Sequence, residues 1–207
     1  MLGGRTFIVN LILDLQLNPV DLFCGNPVAA HRAGVAVARQ IYGVEIPDQV
    51  DVVITSAYPM EQELRQAGKS LLNVAGACRP GGVIVGFMRC QKGLGDVTLP
   101  RLPLPLPLAR RLVRAMGSRG IAALARHTPG PAPEARFMVN FGLQMLKDFH
   151  VLIFSPRLKQ VCQERFPPVL YADQEELFHQ VRQLVASDAP EVAIFHEGGV
   201  SFPIVLR

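Results

Sequence analysis

The amino-acid sequence predicts an α/β fold, an open and mostly parallel sheet with helices on both faces. Short β-branched or aliphatic runs alternate with segments whose apolar residues recur at helical spacing. The stretch from Val50 to Met88 has the strand–helix–strand pattern of a βαβ unit. Apolar residues make up 49% of the 207 residues and charged residues 18%, so the chain can bury a core and is not a disordered protein.

The first section predicts a β-hairpin followed by a helix. Phe7–Leu13 is an apolar run typical of a strand, and Asp21–Cys24 is expected to pair with it after a turn at Leu17–Pro19. Asn26-Pro27 then begins a helix that extends to about Tyr42, because Asn caps helices and Pro suits the first helical turn.

The βαβ unit consists of three segments. Val50–Ser56 is a buried parallel strand, and a helix of about Glu61–Ala77 follows it. Pro80-Gly81-Gly82 is expected to stop this helix before the next buried strand, Val83–Met88.

The rest of the chain predicts further α/β elements in a single domain that covers residues 1–207. Pro100–Pro107 is rich in proline and is expected to be extended, inside that domain. Leu108–Arg126 is expected to be helical, with a break near Gly117 and Gly120. The remaining predicted elements are helices near Phe141–Lys147, Leu158–Phe166 and Gln174–Ala186, and strands at His150–Phe154, Val169–Tyr171 and Glu191–His196.

Composition disfavours several function classes. The net charge is only +4, aromatic residues make up 7%, and Trp is absent, so we expect no nucleic-acid partner. No apolar run reaches the ~18 residues of a membrane span, so we expect no membrane partner either. The four cysteines lack CxxC spacing, which favours free thiols in a reducing cytoplasm, and the five histidines show no metal-ligand spacing, so no metal residue is assigned.

One candidate ligand site follows from the position of polar residues after a predicted strand. Ligands of open α/β sheets bind beyond the carboxyl ends of strands, and Tyr58-Pro59 lies directly after Val50–Ser56. The next helix carries Gln66 and Lys69, which share a face at three-residue spacing and could hold a carboxylate, hydroxyl or phosphate oxygen. An ordinary solvated helix surface would show the same two residues, so both interpretations stay open.

Glycine-rich segments after two further strands have the same ambiguity. Cys90–Asp96 and Glu197-Gly198-Gly199 could approach a ligand closely or could simply be connecting turns. Arg79-Pro80-Gly81-Gly82 resembles a turn of S-adenosylmethionine methyltransferases, but no glycine-rich loop follows the first strands, which disfavours that class.

Five segments together carry a family resemblance. They are, in chain order, Gly25–Gly34, Val52–Pro59, Gln66–Lys69, Arg79–Ile84 and Cys90–Gly95. This ordered set resembles the C-terminal half of the nickel-pincer-dependent lactate racemase family. The resemblance covers residues 7–100 well and is weaker beyond them.

The resemblance implies a racemase or epimerase of 2-hydroxy acids. In that family a nickel-pincer nucleotide accepts a hydride from the substrate carbon, and histidines act as acid and base. Gln66 and Lys69 match the family's glutamine and lysine that face cofactor and substrate, and with Tyr58 they are the candidate binding residues. The metal-binding and acid–base residues belong to an N-terminal half that this sequence lacks, so no catalytic residue is assigned here.

Two departures from the family pattern concern the site itself. Arg65 stands where the family commonly has Tyr, and the loop before the helix is shortened to Ser56-Ala57-Tyr58-Pro59. The resemblance thus implies a C-terminal half that is inactive without an N-terminal racemase domain or subunit as partner and a small 2-hydroxy acid as substrate. The alternative is a non-catalytic, stand-alone α/β domain for binding or scaffolding.

Overall fold

The computed structural model describes residues 6–96, 104–127, 133–162 and 169–206. Its internal packing divides the chain into two compact units, Met1–Glu45 and Ile46–Arg207. The expectation of one domain over the whole chain stays a prediction.

The first unit is a hairpin covered on one side by a helix. Strands β1 (Ile8–Leu13) and β2 (Pro19–Gly25) are antiparallel, and helix α1 (Pro27–Tyr42) follows them. The Asn26 side chain caps α1 by accepting hydrogen bonds from the backbone N–H groups of Val28 at 3.0 Å and Ala29 at 3.2 Å. These observations confirm the predicted hairpin, the predicted cap at Asn26 and the predicted end of the helix at Tyr42.

The second unit contains a parallel five-stranded sheet. Its strands are β4 (Val50–Ser56), β5 (Cys78–Phe87), β6 (His150–Phe154), β7 (Leu170–Tyr171) and β8 (Val192–Phe195). They lie in the order β7-β6-β5-β4-β8, and every neighbouring pair is parallel. Two short strands, β3 (Gly43–Ile46) and β9 (Phe202–Val205), were not expected from the sequence.

Helices cover both faces of this sheet, as predicted. They are α2 (Leu64–Ala67), α3 (Lys69–Val74), α4 (Leu106–His127), α5 (Pro133–Asp148), α6 (Pro156–Val161) and α7 (Gln174–Leu184). One face of the sheet packs its Val53 and Ile84 with Leu71 of α3 and Leu158 of α6. The opposite face packs Val52, Val85 and their neighbours with α7. Alternate residues of each strand therefore enter different core layers.

The predicted helix of Glu61–Ala77 is wrong as one continuous element. It divides into α2, α3 and a 3₁₀ turn at Ala75–Ala77. The division falls at Gly68, because glycine is a poor helix former. The φ of −60° and ψ of −19° at Gly68 are still in the right-handed helical region.

Strand β5 begins earlier than predicted. Pro80-Gly81-Gly82 does not precede it but forms an irregularity inside it, because Val50 pairs with Cys78 and Val52 pairs with Val83. A Cβ on Gly82 would lie 2.6 Å from the Asp51 carbonyl oxygen, which explains a glycine at this position.

The proline-rich prediction is also partly wrong. Residues 97–103 lie outside the described part of the chain, while Pro107 belongs to the first turn of α4, where its missing N–H costs no hydrogen bond. The predicted break in α4 is confirmed at Gly117, whose φ of 64° and ψ of 175° are not helical. Helix α5 is longer than expected, and none of the described helices is long and apolar enough to cross a membrane.

Candidate functional site

The strand order creates a topological switch point beside β4. The chain leaves β4 toward β5 on one side, whereas β8 pairs with β4 on the other, Thr55 opposite Phe195. Such a point opens a crevice at the carboxyl ends of the strands, where ligands of open α/β sheets bind. Residues 57–63, 88–96 and 196–201 follow β4, β5 and β8, and we call them the edge loops.

The first edge loop turns sharply after β4. The Ala57 N–H donates to the Phe87 carbonyl at 3.0 Å, and the Tyr58 N–H donates to Ser56 Oγ at 3.2 Å. The Tyr58–Pro59 peptide is cis, and Tyr58 is 53% exposed. Tyr58 is therefore open to contact with a ligand.

The second edge loop is bonded to the first. The Cys90 N–H donates to the Glu61 carbonyl at 2.8 Å, and the Lys92 N–H donates to the Gln62 carbonyl at 2.9 Å. Glycine suits position 95 because its φ of 66° is a conformation that other residues rarely adopt. Of the two interpretations left open for this glycine-rich segment, the structure supports a turn that braces its neighbour.

The third edge loop is held by Asn73, a residue that the sequence did not single out. Asn73 Nδ2 donates to the carbonyl oxygens of Gly198 at 2.9 Å and Gly199 at 3.1 Å. A Cβ on Gly198 would lie 1.8 Å from the buried Thr55 Oγ1, so this position admits no side chain. The Gly199 N–H donates to the Tyr58 carbonyl at 3.2 Å, which joins the third loop to the first.

Gln66 and Lys69 lie on the helical turns that follow the first edge loop. Leu64, Ala67 and Leu71 of these turns are buried, whereas Gln66 is half-buried and Lys69 is exposed. Lys69 and Asn73 lie four residues apart in α3 and therefore share one side of that helix, the side from which Asn73 contacts the third edge loop. The spacing could have revealed Asn73, but an amide on a helix is common.

Two ion pairs neutralise some of the charged side chains at the edge loops. Arg65 forms an ion pair with Asp96, and Arg89 forms one with Glu61 at 2.9 Å. Arg65 thus joins α2 to the second edge loop. Within the described ranges, no hydrogen bond or ion pair is found for the Lys69 ammonium group, which leaves a cation available for an anionic ligand.

The buried thiol beneath the edge is unsuited to nucleophilic chemistry. Burial raises the pKa of Cys90 to about 11, an effect that a hydrogen bond with Ser155 only partly opposes. Cys90 therefore stays protonated near neutral pH.

The residues that the structure describes include no group of three or more His, Cys, Asp or Glu side chains that could hold a metal ion. The donors at the edge suit the phosphate or carboxylate of a ligand.

Together the fold and the edge define an open α/β domain with hydrogen-bond donors at its switch point. No family model matches the chain. Over 95 residues, 45% of this chain and 22% of the relative, it is 34% identical to the lactate racemase of Thermoanaerobacterium thermosaccharolyticum. Over 91 residues, 43% of this chain and 21% of the relative, it is 29% identical to the lactate racemase of Lactiplantibacillus plantarum.

Two solved structures share the fold. The lactate racemase apoprotein of T. thermosaccharolyticum superposes with a TM-score of 0.69 and 21% identity, over 96% of this chain and 46% of that one. A Thermotoga maritima protein gives a TM-score of 0.54 and 14% identity, over 97% of this chain and 49% of that one. The chain is thus a homologue of lactate racemase over part of that enzyme, a racemase-related domain that spans about half of the solved racemase.

Proposed function

We propose that this chain is the C-terminal half of a nickel-pincer-dependent racemase or epimerase of small 2-hydroxy acids. Gln66, Lys69 and Tyr58 would contact the substrate or the cofactor, and an N-terminal racemase domain or subunit would complete the site. The observation that supports this most directly is the exposed Lys69 ammonium of a lactate racemase homologue, which has no hydrogen-bond or ion-pair partner in the described part of the chain and follows the first edge loop. The buried free thiols Cys78, Cys90 and Cys162 favour the cytoplasm as its compartment.

Lys69 and Gln66 suit the substrate's two functional groups. A 2-hydroxy acid presents a carboxylate beside a hydroxyl, and an ammonium group with an amide can bind both through charge-assisted and neutral hydrogen bonds. Inversion of the carbon requires that the molecule stays bound while its reacting face changes. An anchored carboxylate provides that constraint without touching the carbon itself.

The cofactor's chemistry would come from outside this chain. When bound, a nickel-pincer nucleotide supplies a hydride acceptor. The residues described here hold no metal-ligand set, so their proposed role is to orient the hydroxy acid and to contact anionic groups of the nucleotide. No proton-transfer step is assigned to them.

A hybrid enzyme tests this role. In it, this chain replaces the matching 46% of the T. thermosaccharolyticum lactate racemase, and the product is loaded with the nickel-pincer nucleotide. Lys69→Ala should reduce kcat/KM for lactate racemisation by about 100-fold, since a charge-assisted contact is lost, and Gln66→Ala by about 10-fold. Arg111→Ala, an exposed cation of α4, is the control and should leave turnover unchanged. Undiminished turnover in Lys69→Ala would contradict the proposal.

A further inference from the structure

The side chains on one side of the β1–β2 hairpin are apolar and exposed to solvent. Val9 lies opposite Cys24 and Leu11 lies opposite Leu22, and all four side chains are exposed. Phe7 before β1 and Val20 of β2 extend this surface, which we call the outer hairpin face. The exposed fraction is 66% for Phe7 and Val9, and at least 50% for Leu11, Val20 and Leu22.

The opposite side of the hairpin is already covered by α1. A Cβ on Gly34 of α1 would lie 2.9 Å from Asn10 Nδ2, 3.3 Å from Ile12 and 3.7 Å from Phe23. The helix therefore packs closely on the inner side, whereas the side chains of the outer hairpin face are exposed. A continuous exposed apolar patch of this kind is typical of an interaction surface.

The chemistry of the outer hairpin face restricts its partner. None of its six side chains is charged, so it suits neither a nucleic acid nor a charged peptide. Strands with a regular alternation of exposed apolar residues suit packing against a second apolar layer. The match covers 46% of the related racemase structure, so that structure contains further chain beyond the part that this chain matches.

We propose that the outer hairpin face docks against the part of the racemase fold that lies outside the match with this chain. This inference rests on the proposed function, because it assumes that the chain works with such a partner. It adds the location of the contact, which is a face of the first compact unit.

Cys24 provides a direct reporter of this contact. It lies on the outer hairpin face and is exposed, whereas Cys78, Cys90 and Cys162 are buried. In the chain alone, iodoacetamide should therefore alkylate Cys24 first, as followed by peptide mass spectrometry. In the hybrid enzyme described above, the rate at Cys24 should fall by at least 10-fold, because the partner layer covers it.

Substitutions then connect the protection to the apolar face. Leu11→Lys and Leu22→Lys should each restore most of the Cys24 reactivity in the hybrid while leaving it unchanged in the chain alone. Leu112→Lys, at an exposed leucine of α4, is the matched control and should keep Cys24 protected. Equal Cys24 reactivity in the hybrid and in the chain alone would overturn the proposal.

Self-association is the competing outcome. Sedimentation of the chain alone should give a monomer of 22.6 kDa at all concentrations. A dimer that Leu11→Lys dissociates would assign the face to a second copy and overturn the proposal. None of these measurements needs turnover, so protection of Cys24 in a hybrid that does not racemise lactate would contradict the proposed function alone.

Discussion

Asn73 holds Gly198 across 125 residues of sequence, since its Nδ2 donates to the Gly198 carbonyl oxygen at 2.9 Å. Asn73 belongs to the same short helix that Lys69 begins, and Gly198 belongs to the loop after β8. This hydrogen bond therefore fixes the helix that carries the candidate anion-binding residue against the edge of the sheet. It lies between elements that are distant in sequence and adjacent in space.

Asn73→Ala should destabilise the fold. The side chain makes two partly buried hydrogen bonds, and their loss leaves two carbonyl groups of the loop without a donor. We expect the free energy of unfolding to fall by about 1–2 kcal/mol in urea titrations. Gln49→Ala, which removes an exposed bond to the Gly76 carbonyl, is the control and should cost less than about 0.5 kcal/mol. Equal losses in both variants would contradict the bracing role of Asn73.

Gly198→Ala should be severely destabilising, because its Cβ would overlap Thr55 Oγ1 at 1.8 Å. Overpacking of this kind costs about 1–3 kcal/mol or more. The double variant with Thr55→Ala should recover part of the loss, which a thermodynamic cycle would measure as a coupling energy. Gly142→Ala in α5 meets nothing within 4 Å and should be neutral or slightly stabilising. Additive effects of Gly198→Ala and Thr55→Ala would show that the clash is not the cause.

His150 should make stability depend on pH. Burial, with the charges of Arg110 and Arg114, lowers the pKa of its imidazole from 6.5 to about 4. As the pH falls from 6.5 to 4, the unfolded chain binds a proton at this imidazole and the folded chain does not. The free energy of unfolding therefore decreases by about 2 kcal/mol over this pH range. His150→Asn, which keeps an acceptor near the Arg110 guanidinium, should flatten the profile of unfolding free energy between these pH values. An unaltered slope in that variant would refute the assignment.

Arg110→Met should stabilise the protein. Arg110 is 7% exposed and donates to His150 Nδ1, but its Nε and Nη2 atoms have no hydrogen-bond partner among the residues that the structure describes. Burial lowers the pKa of this guanidinium to about 10, because the charged form is poorly solvated. Replacement by a side chain of similar length without charge should raise the free energy of unfolding by about 1 kcal/mol. Arg111→Met at the exposed neighbour should change it by less than about 0.5 kcal/mol, and a loss of stability in Arg110→Met would contradict this account.

Local patterns were sufficient to predict most of the elements. Val50–Ser56 and His150–Phe154 are β-branched or aliphatic runs bounded by breakers, and both are strands of the parallel sheet. The cap at Asn26 was equally visible, because capping depends on neighbouring residues alone. The irregularity at Pro80–Gly82 could not be predicted, since it depends on how β5 aligns with β4.

In the candidate site, too, some residues could be predicted from local patterns and others depend on contacts between distant parts of the chain. Tyr58, Gln66 and Lys69 could be named from a strand end and a three-residue spacing, and their contact with a ligand stays a prediction. The roles of Asn73 and Gly198 depend on β8 lying beside β4, a pairing between residues about 140 positions apart. Such pairings leave no signal in neighbouring residues.

The position of β8 also determines when the candidate site can form. β4 is the first strand of the five-stranded sheet in chain order, yet its second edge stays unpaired until Val192–Phe195 has been synthesised. During translation, β4 therefore keeps one unpaired edge. The crevice beside β4 forms only when β8 joins the sheet. A stop codon before residue 190 would leave most of the sheet-forming sequence intact and still remove one wall of the crevice.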